Sequence, residues 1–161
     1  MARVTKGILA LRKRAEGRRK GRPVIDLGPL NWHLGYFVRR LQVSIFQDFI
    51  RRLASIDVSP AQFSVLVVIS ANAGLSQAEL GVTLGIERAR LVRMLHQLEE
   101  RGLTQRLPSS ADGRRHELRL TRDGQKLLAQ ARTLASQHEA ALQMRLGADK
   151  HRLLLDAMRE L

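Results

Sequence analysis

Apolar residues recur every three to four positions over most of the chain and alternate with polar ones over two short stretches. In residues 30–56, Leu34, Phe37, Val38, Leu41, Ile45, Phe49 and Leu53 form one stripe, which predicts a long helix. Asp48 and Arg52 lie on the same stripe four positions apart, placed to pair with each other or with a second subunit. Asp57-Val58-Ser59-Pro60 predicts a stop and a restart, with Ser59 as N-cap and Pro60 at the first helical position. The helix that follows, 60–71, has an apolar centre (Phe63, Val65, Leu66, Val67, Ile69). Asn72-Ala73-Gly74 ends it, and Ser76 with Glu79 three residues on predicts a capping box for the next helix. Gly85 allows a tight turn into a helix over 86–101, which Gly102 stops. Residues 103–107 and 117–121 alternate as strands around the polar run SSADGRRH. Thr121 then caps a long helix whose stripe runs Leu127, Leu128, Ala131, Leu134, Ala135, His138, Ala141, Leu142 and Leu146. Gly147-Ala148-Asp149 turns into a final helix bearing Leu153, Leu154, Leu155, Ala157, Met158 and Leu161.

Helix, turn, helix and basic-tipped hairpin make a winged helix-turn-helix. The expected fold is mainly α with a small β-hairpin wing (α+β), and with dimerisation helices at both ends. Residues 60–121 form the winged lobe, and 30–56 and 122–161 the dimerisation helices. The broad apolar faces of those helices are expected to pack on each other and on a second copy, giving a homodimer.

Charge sharpens this picture. The chain of 161 residues carries 28 Lys and Arg against 15 Asp and Glu, a net charge of +13. Residues 1–22 hold nine of the basic residues and only Glu16 as an acid, a net of +8. Residues 1–29 therefore read as a basic arm, mobile without a partner, which either trails in solvent or follows DNA phosphates. A second basic patch lies in 86–122, with nine arginines and five acids. On the helix over 86–101, Leu91, Met94, Leu95 and Leu98 share one side; Ala89, Arg93, His96, Gln97 and Glu100 share the other. Arg88 and Arg90 flank its first turn. Such a face fits a major groove, where guanidinium forks pair with guanine O6 and N7. Arg88, Arg90 and Arg93 are the base-reading candidates, and Arg114 and Arg115 of the loop suit the minor groove or its phosphates. The competing reading is a solvated face neutralised by neighbours, such as Glu87 with Arg90 or Glu100 with Arg101.

The stretches VSPAQFSVLVVI, GLSQAELGVTLGIERARLVRMLHQLEERGL and RLPSSADGRRHELRLTRDGQKLL together resemble the MarR family of bacterial transcription regulators, over residues 30–161. The resemblance implies a homodimer on a pseudo-palindromic operator of double-stranded DNA, usually repressing, and released by a small, often anionic aromatic ligand. It implies DNA contacts from Ser76, Gln77, Arg88, Ala89, Arg90, Arg93 and His96, and from a wing in which Asp112 braces Arg114 or Arg115. Two features depart from the family's pattern. The helix start reads Glu87-Arg88-Ala89-Arg90 where the family often has hydroxyl residues. Glutamate is a poor cap, so that start is expected to rest on packing, and the arginines point to a guanine-containing half-site. The basic arm lies outside the common core. The family's effector pocket lies between the dimer helices and the lobe. By position Trp32, His33, Tyr36, Arg40, Phe63 and Val67 are its expected lining, suited to an aromatic acid or its coenzyme A thioester.

Other classes find little support. GxSxG, a Gly-rich phosphate loop and any cysteine are missing, so an enzyme is not expected, nor a bound cofactor. His138-Glu139 starts like a zinc-protease helix, but Leu142 stands where the second ligand belongs. His33, His96, His116, His138 and His151 are scattered, which leaves a metal-responsive regulator as one alternative and an architectural DNA-binding protein without effector as another. The chain shows no apolar run of bilayer length and no disulfide, so a cytoplasmic protein with no membrane partner is expected.

Overall fold

A computed structural model describes residues 25–108 and 116–160. The basic arm 1–22, the loop tip with Asp112, Arg114 and Arg115, and Leu161 lie outside the described residues. The chain divides into two compact units, with the boundary after Arg39. In the first, Asp26 accepts the Gly28 N–H at 3.0 Å, and a 3-10 turn runs over Gly28–Trp32. His33 is extended (φ −95°, ψ 108°), so helix α1 spans Leu34–Leu53; it begins with the apolar stripe itself, four residues later than the expected start at residue 30. The cause is local. Pro29 offers no N–H, and the turn closes on its own carbonyls through Leu30 N to Leu27 O and His33 N to Leu30 O.

In the second unit, the chain leaves α1 through a 3-10 turn, Ala54–Ile56, and through Asp57 in the left-handed region (φ 49°). Ser59 and Gln62 then form a reciprocal capping box for α2, Pro60–Ala71. Ser76 and Glu79 do the same for α3, Gln77–Leu84. Gly85 (φ 60°) lets Ile86 N reach Gly81 O while its own N–H reaches Val82 O, the paired bonds of a Schellman end. Because the Ile86 N–H is engaged there, helix α4 starts two residues later than expected, at Arg88–Glu100. Glu87 caps it after all: its Oε1 accepts from Ala89 N at 3.1 Å. The far end closes in the same way, through Leu103 N to Leu98 O and Gly102 N to Glu99 O. That bond holds Leu103 outside the hairpin, so strands β1, Thr104–Pro108, and β2, His116–Leu120, are offset by one residue from their expected limits. They pair antiparallel, from Thr104 opposite Leu120 to Pro108 opposite His116. Helices α5, Arg122–Leu146, and α6, Ala148–Arg159, follow, divided by Gly147 alone.

The lobe closes around Val65, Leu66, Ile69, Leu80, Leu91, Leu95, Leu98, Leu118 and Leu128, all buried. Each such side chain is worth about 1.5–3 kcal/mol when withdrawn from water. A smaller cluster, Leu53, Val58 and Ala131, joins the end of α1 to α5. The hairpin is fastened at three points: Leu118 N to Leu75 O (2.9 Å), Thr121 N to Leu103 O (3.1 Å) and Thr121 Oγ1 to Gly102 O (2.6 Å). Arg101 extends the frame, donating to Asp57 O at 2.7 Å rather than pairing with Glu100. Among the described residues no single helix is long and apolar enough to cross a membrane.

Candidate DNA interface and ligand cavity

The amphipathic division of α4 is realised in space. Leu91, Met94, Leu95 and Leu98 face the core, and Arg88, Ala89, Arg90, Arg93 and His96 are exposed. Among the described residues no carboxylate pairs with Arg88, Arg90 or Arg93, and Glu87 serves the helix cap instead of Arg90. His96 Nδ1 lies 3.4 Å from Glu100. Three unneutralised guanidiniums on one short helix attract a polyanion. Beside them is a shallow hollow of about 710 Å³ bordered by Ser76, Gln77, Val82, Arg88 and His116. The structure thus brings Ser76 and Gln77, at the start of α3, next to the start of α4. Arg106 of the wing reaches Gln77 at 3.4 Å and Glu99 at 3.2 Å, so hairpin and both helices are held together. Val82 and His116 were not anticipated; the signal for Val82 was an apolar residue facing away from Leu80 and Leu84 on α3, and it is 85% exposed.

Within the second unit, α1, α2, α5 and α6 line a half-open cavity of about 600 Å³. Its wall is mostly Leu, Ile and Phe, with Leu41, Ile45, Phe49, Phe63, Leu142 and Leu154 from four helices. Leu84 and Ile86, on either side of the helix-turn-helix glycine, also line it. The polar groups on the wall are Ser64, His138, Glu139 and His151. His138 is buried, stacks on Phe49 (5.0 Å between centroids, 19° between planes) and sets Nδ1 2.8 Å from Asp48 Oδ2. Asp48 also accepts from Arg52 Nε at 2.8 Å and from Arg51 at 3.1 Å. The Arg52 hydrogen bond, then those of His138 and Arg51, hold the Asp48 carboxyl well below the usual carboxylate range, against the opposing effect of burial. The expected pairing of Asp48 with Arg52 is thus present, with His138 as a third member. His151 and Glu139 meet at 2.5 Å.

A family model of MarR regulators matches residues 56–115, the lobe up to the second strand of the hairpin. The proposed transcriptional regulatory protein for the hcr operon of Thauera aromatica is 32% identical over 135 residues, covering 83% of this chain and 81% of that protein. This chain belongs to the MarR family. MarR proteins are DNA-binding transcriptional regulators rather than enzymes, and the winged helix-turn-helix just described is their fold. Among solved structures, the transcriptional repressor CouR bound to a 23-mer DNA duplex superposes with a TM-score of 0.81 at 42% identity, covering 86% of this chain and 98% of that one. CouR bound to p-coumaroyl-CoA gives a TM-score of 0.76 at 40% identity, covering 84% and 96%.

Of the lining expected for a MarR effector pocket, Phe63 borders the cavity. Val67 packs against the core of the lobe instead. Arg40 is exposed and not part of the cavity wall. Trp32, His33 and Tyr36 belong to the first unit, where Trp32 is 90% exposed and Tyr36 packs edge-on against Phe37 at 5.3 Å. The rest of the wall is shared by α1, α2, α5 and α6, and the apolar residues of α5 and α6 that line it are ones expected to face a dimer partner. A polar signal was available there: Asp48 and His138 each interrupt an apolar stripe, and two such interruptions are commonly each other's partner. Among the described residues no three His, Cys, Asp or Glu side chains converge as a metal site would require.

Proposed function

We propose that this MarR protein is a cytoplasmic, homodimeric repressor that reads a pseudo-palindromic operator and releases it when an aromatic carboxylate, or its coenzyme A thioester, fills the cavity. The observation that carries this reading is the cavity wall itself. Leu84 and Ile86 are shared between the cavity and the turn that aims α4, so a ligand pressing on them tilts the reading helix without touching DNA. The arginine face supplies the other half: Arg88, Ala89, Arg90, Arg93 and His96 enter the major groove, Ser76 and Gln77 meet a phosphate at the α3 N-terminus, and the wing with Asp112, Arg114 and Arg115 reaches the minor groove. The stripe Val43, Phe46 and Ile50 on α1, each close to half exposed, and Leu153, 70% exposed, on α6 offer apolar surface to a second copy. CouR, bound in one structure to DNA and in another to p-coumaroyl-CoA, supports both halves. The test is footprinting on the DNA flanking the protein's own coding region, with and without p-coumaroyl-CoA and free aromatic acids. Two protected half-sites one DNA turn apart (~34 Å), lost on adding a ligand, are expected. A footprint indifferent to every ligand would sink the responsive part, and no footprint would sink the operator.

A further inference from the structure

We propose that Glu87 reads a base as well as capping α4: while its Oε1 holds Ala89 N, its Oε2 accepts a hydrogen bond from the exocyclic amino group of a cytosine in the major groove. This rests on the groove-reading role proposed above for α4 and adds a specificity-determining residue to it. Glu87 is exposed at the N-cap of α4, directly before the exposed run Arg88, Ala89 and Arg90. Residues at that end of a reading helix are the ones that reach base edges.

The carboxylate of Glu87 is unmatched. Glu99 pairs with Arg106 at 3.2 Å and Glu100 lies 3.4 Å from His96, whereas among the described residues no basic side chain pairs with Glu87. The side chain is nevertheless held. The 3.1 Å bond from Ala89 N fixes one carboxylate oxygen at the helix start, so presenting the other to a base costs little further ordering. Capping alone does not call for this residue, because serine or asparagine caps better. Those side chains both donate and accept, whereas a carboxylate only accepts.

That one-sidedness selects the base. Phosphates repel a carboxylate, so it is tolerated in the groove only opposite a donor. The donors on major-groove edges are cytosine N4 and adenine N6. Adenine sets the acceptor N7 beside its amino group, and thymine and guanine present acceptors alone. Cytosine offers its amino group with no acceptor of its own on that edge. The guanine opposite it suits a guanidinium, and Arg88 and Arg90 stand within one helical turn of Glu87. Acid and guanidinium thus match the two halves of one C·G pair.

Selection from a randomised duplex library, with sequencing of the bound fraction, tests this on the full chain and on the variants Glu87→Ser and Glu87→Gln. Both variants keep an oxygen able to cap α4. The unaltered protein should prefer cytosine about tenfold over any other base at one position of each half-site. Glu87→Ser should remove that preference and leave the other positions as they were. Glu87→Gln should move it from cytosine to adenine, whose N6 and N7 suit an amide. A role in capping alone would lower the melting temperature or weaken all sites equally, with base preferences unchanged, and that result overturns the proposal. A change confined to a position where the unaltered protein does not select cytosine overturns it too. A common half-site identical in all three proteins removes Glu87 from base reading and leaves α4 as the reader. No common half-site for any of them overturns the groove reading of α4, and this proposal with it.

Discussion

Replacing Gly124 with alanine sets two physical effects against each other. Gly124 lies in the first turn of α5, and helix propensity alone would make the change stabilising by about 1 kcal/mol. Packing says the opposite. A Cβ at Gly124 would sit 1.9 Å from Leu103 O and 2.9 Å from Leu103 C, both backbone atoms. Restoring even a 3.0 Å separation from that oxygen requires a shift of about 1.1 Å between α5 and the end of α4. That shift acts on Thr121 N to Leu103 O (3.1 Å), Thr121 Oγ1 to Gly102 O (2.6 Å) and the cap from Gly124 N to Thr121 Oγ1 (3.0 Å). Overpacking costs about 1–3 kcal/mol, a lost cap about 1 and each weakened hydrogen bond about 1. Against the propensity gain, the expected net loss is about 3–5 kcal/mol, or a fall in Tm of about 10–15 °C. Urea unfolding followed by circular dichroism, at matched protein concentration, measures it. Gly35→Ala is the control: Gly35 lies in α1 with nothing within 4 Å of its would-be Cβ, so propensity acts there alone. A Gly124→Ala protein as stable as the unaltered one would refute the close approach of the two backbones.

Arg90→Ala and Arg93→Ala are each expected to weaken operator binding by about 1–3 kcal/mol, with a smaller loss on scrambled duplex; fluorescence anisotropy on both duplexes measures this, and equal losses on both would reduce the two arginines to phosphate contacts. Asp48 has a folded-state pKa depressed below its ordinary value of 3.8, so its stabilising contribution is present above pH 3.8 and is lost as pH falls through the lower folded value. Asp48→Asn should therefore flatten the acid limb of stability below about pH 4, and acid unfolding curves of identical slope would show that the Arg52 and His138 contacts to Asp48 do not persist in solution.

The elements most legible in the sequence were those set by chemistry within a few residues. Ser59, Ser76 and Thr121 cap the helices they were expected to cap, because a side-chain oxygen and an N–H three positions on need no tertiary partner. Element limits were less legible where one backbone group had two possible uses. Ile86 and Leu103 continue the apolar patterns of their neighbours, yet their N–H groups close the preceding helices, and periodicity carries no record of that. The exposed basic face of α4 was legible because amphipathicity and charge agree there. The cavity was not. Its walls come from four helices far apart in sequence, and the stripe on α5 that served as core also lines open space at Ala135, His138 and Leu142.

The fastening of the hairpin has an evolutionary consequence. Leu118 to Leu75, Thr121 to Leu103 and Arg106 to Gln77 all join residues inside the segment 75–121. Among the described residues of that segment, Leu84 and Ile86 are the ones that border the cavity. If the proposed ligand-responsive reading holds, operator preference and effector preference can thus diverge independently in descendants of this chain, provided that those two positions change in step with the cavity. A paralogue that inherits the pair can acquire a new operator while answering to the old chemical signal.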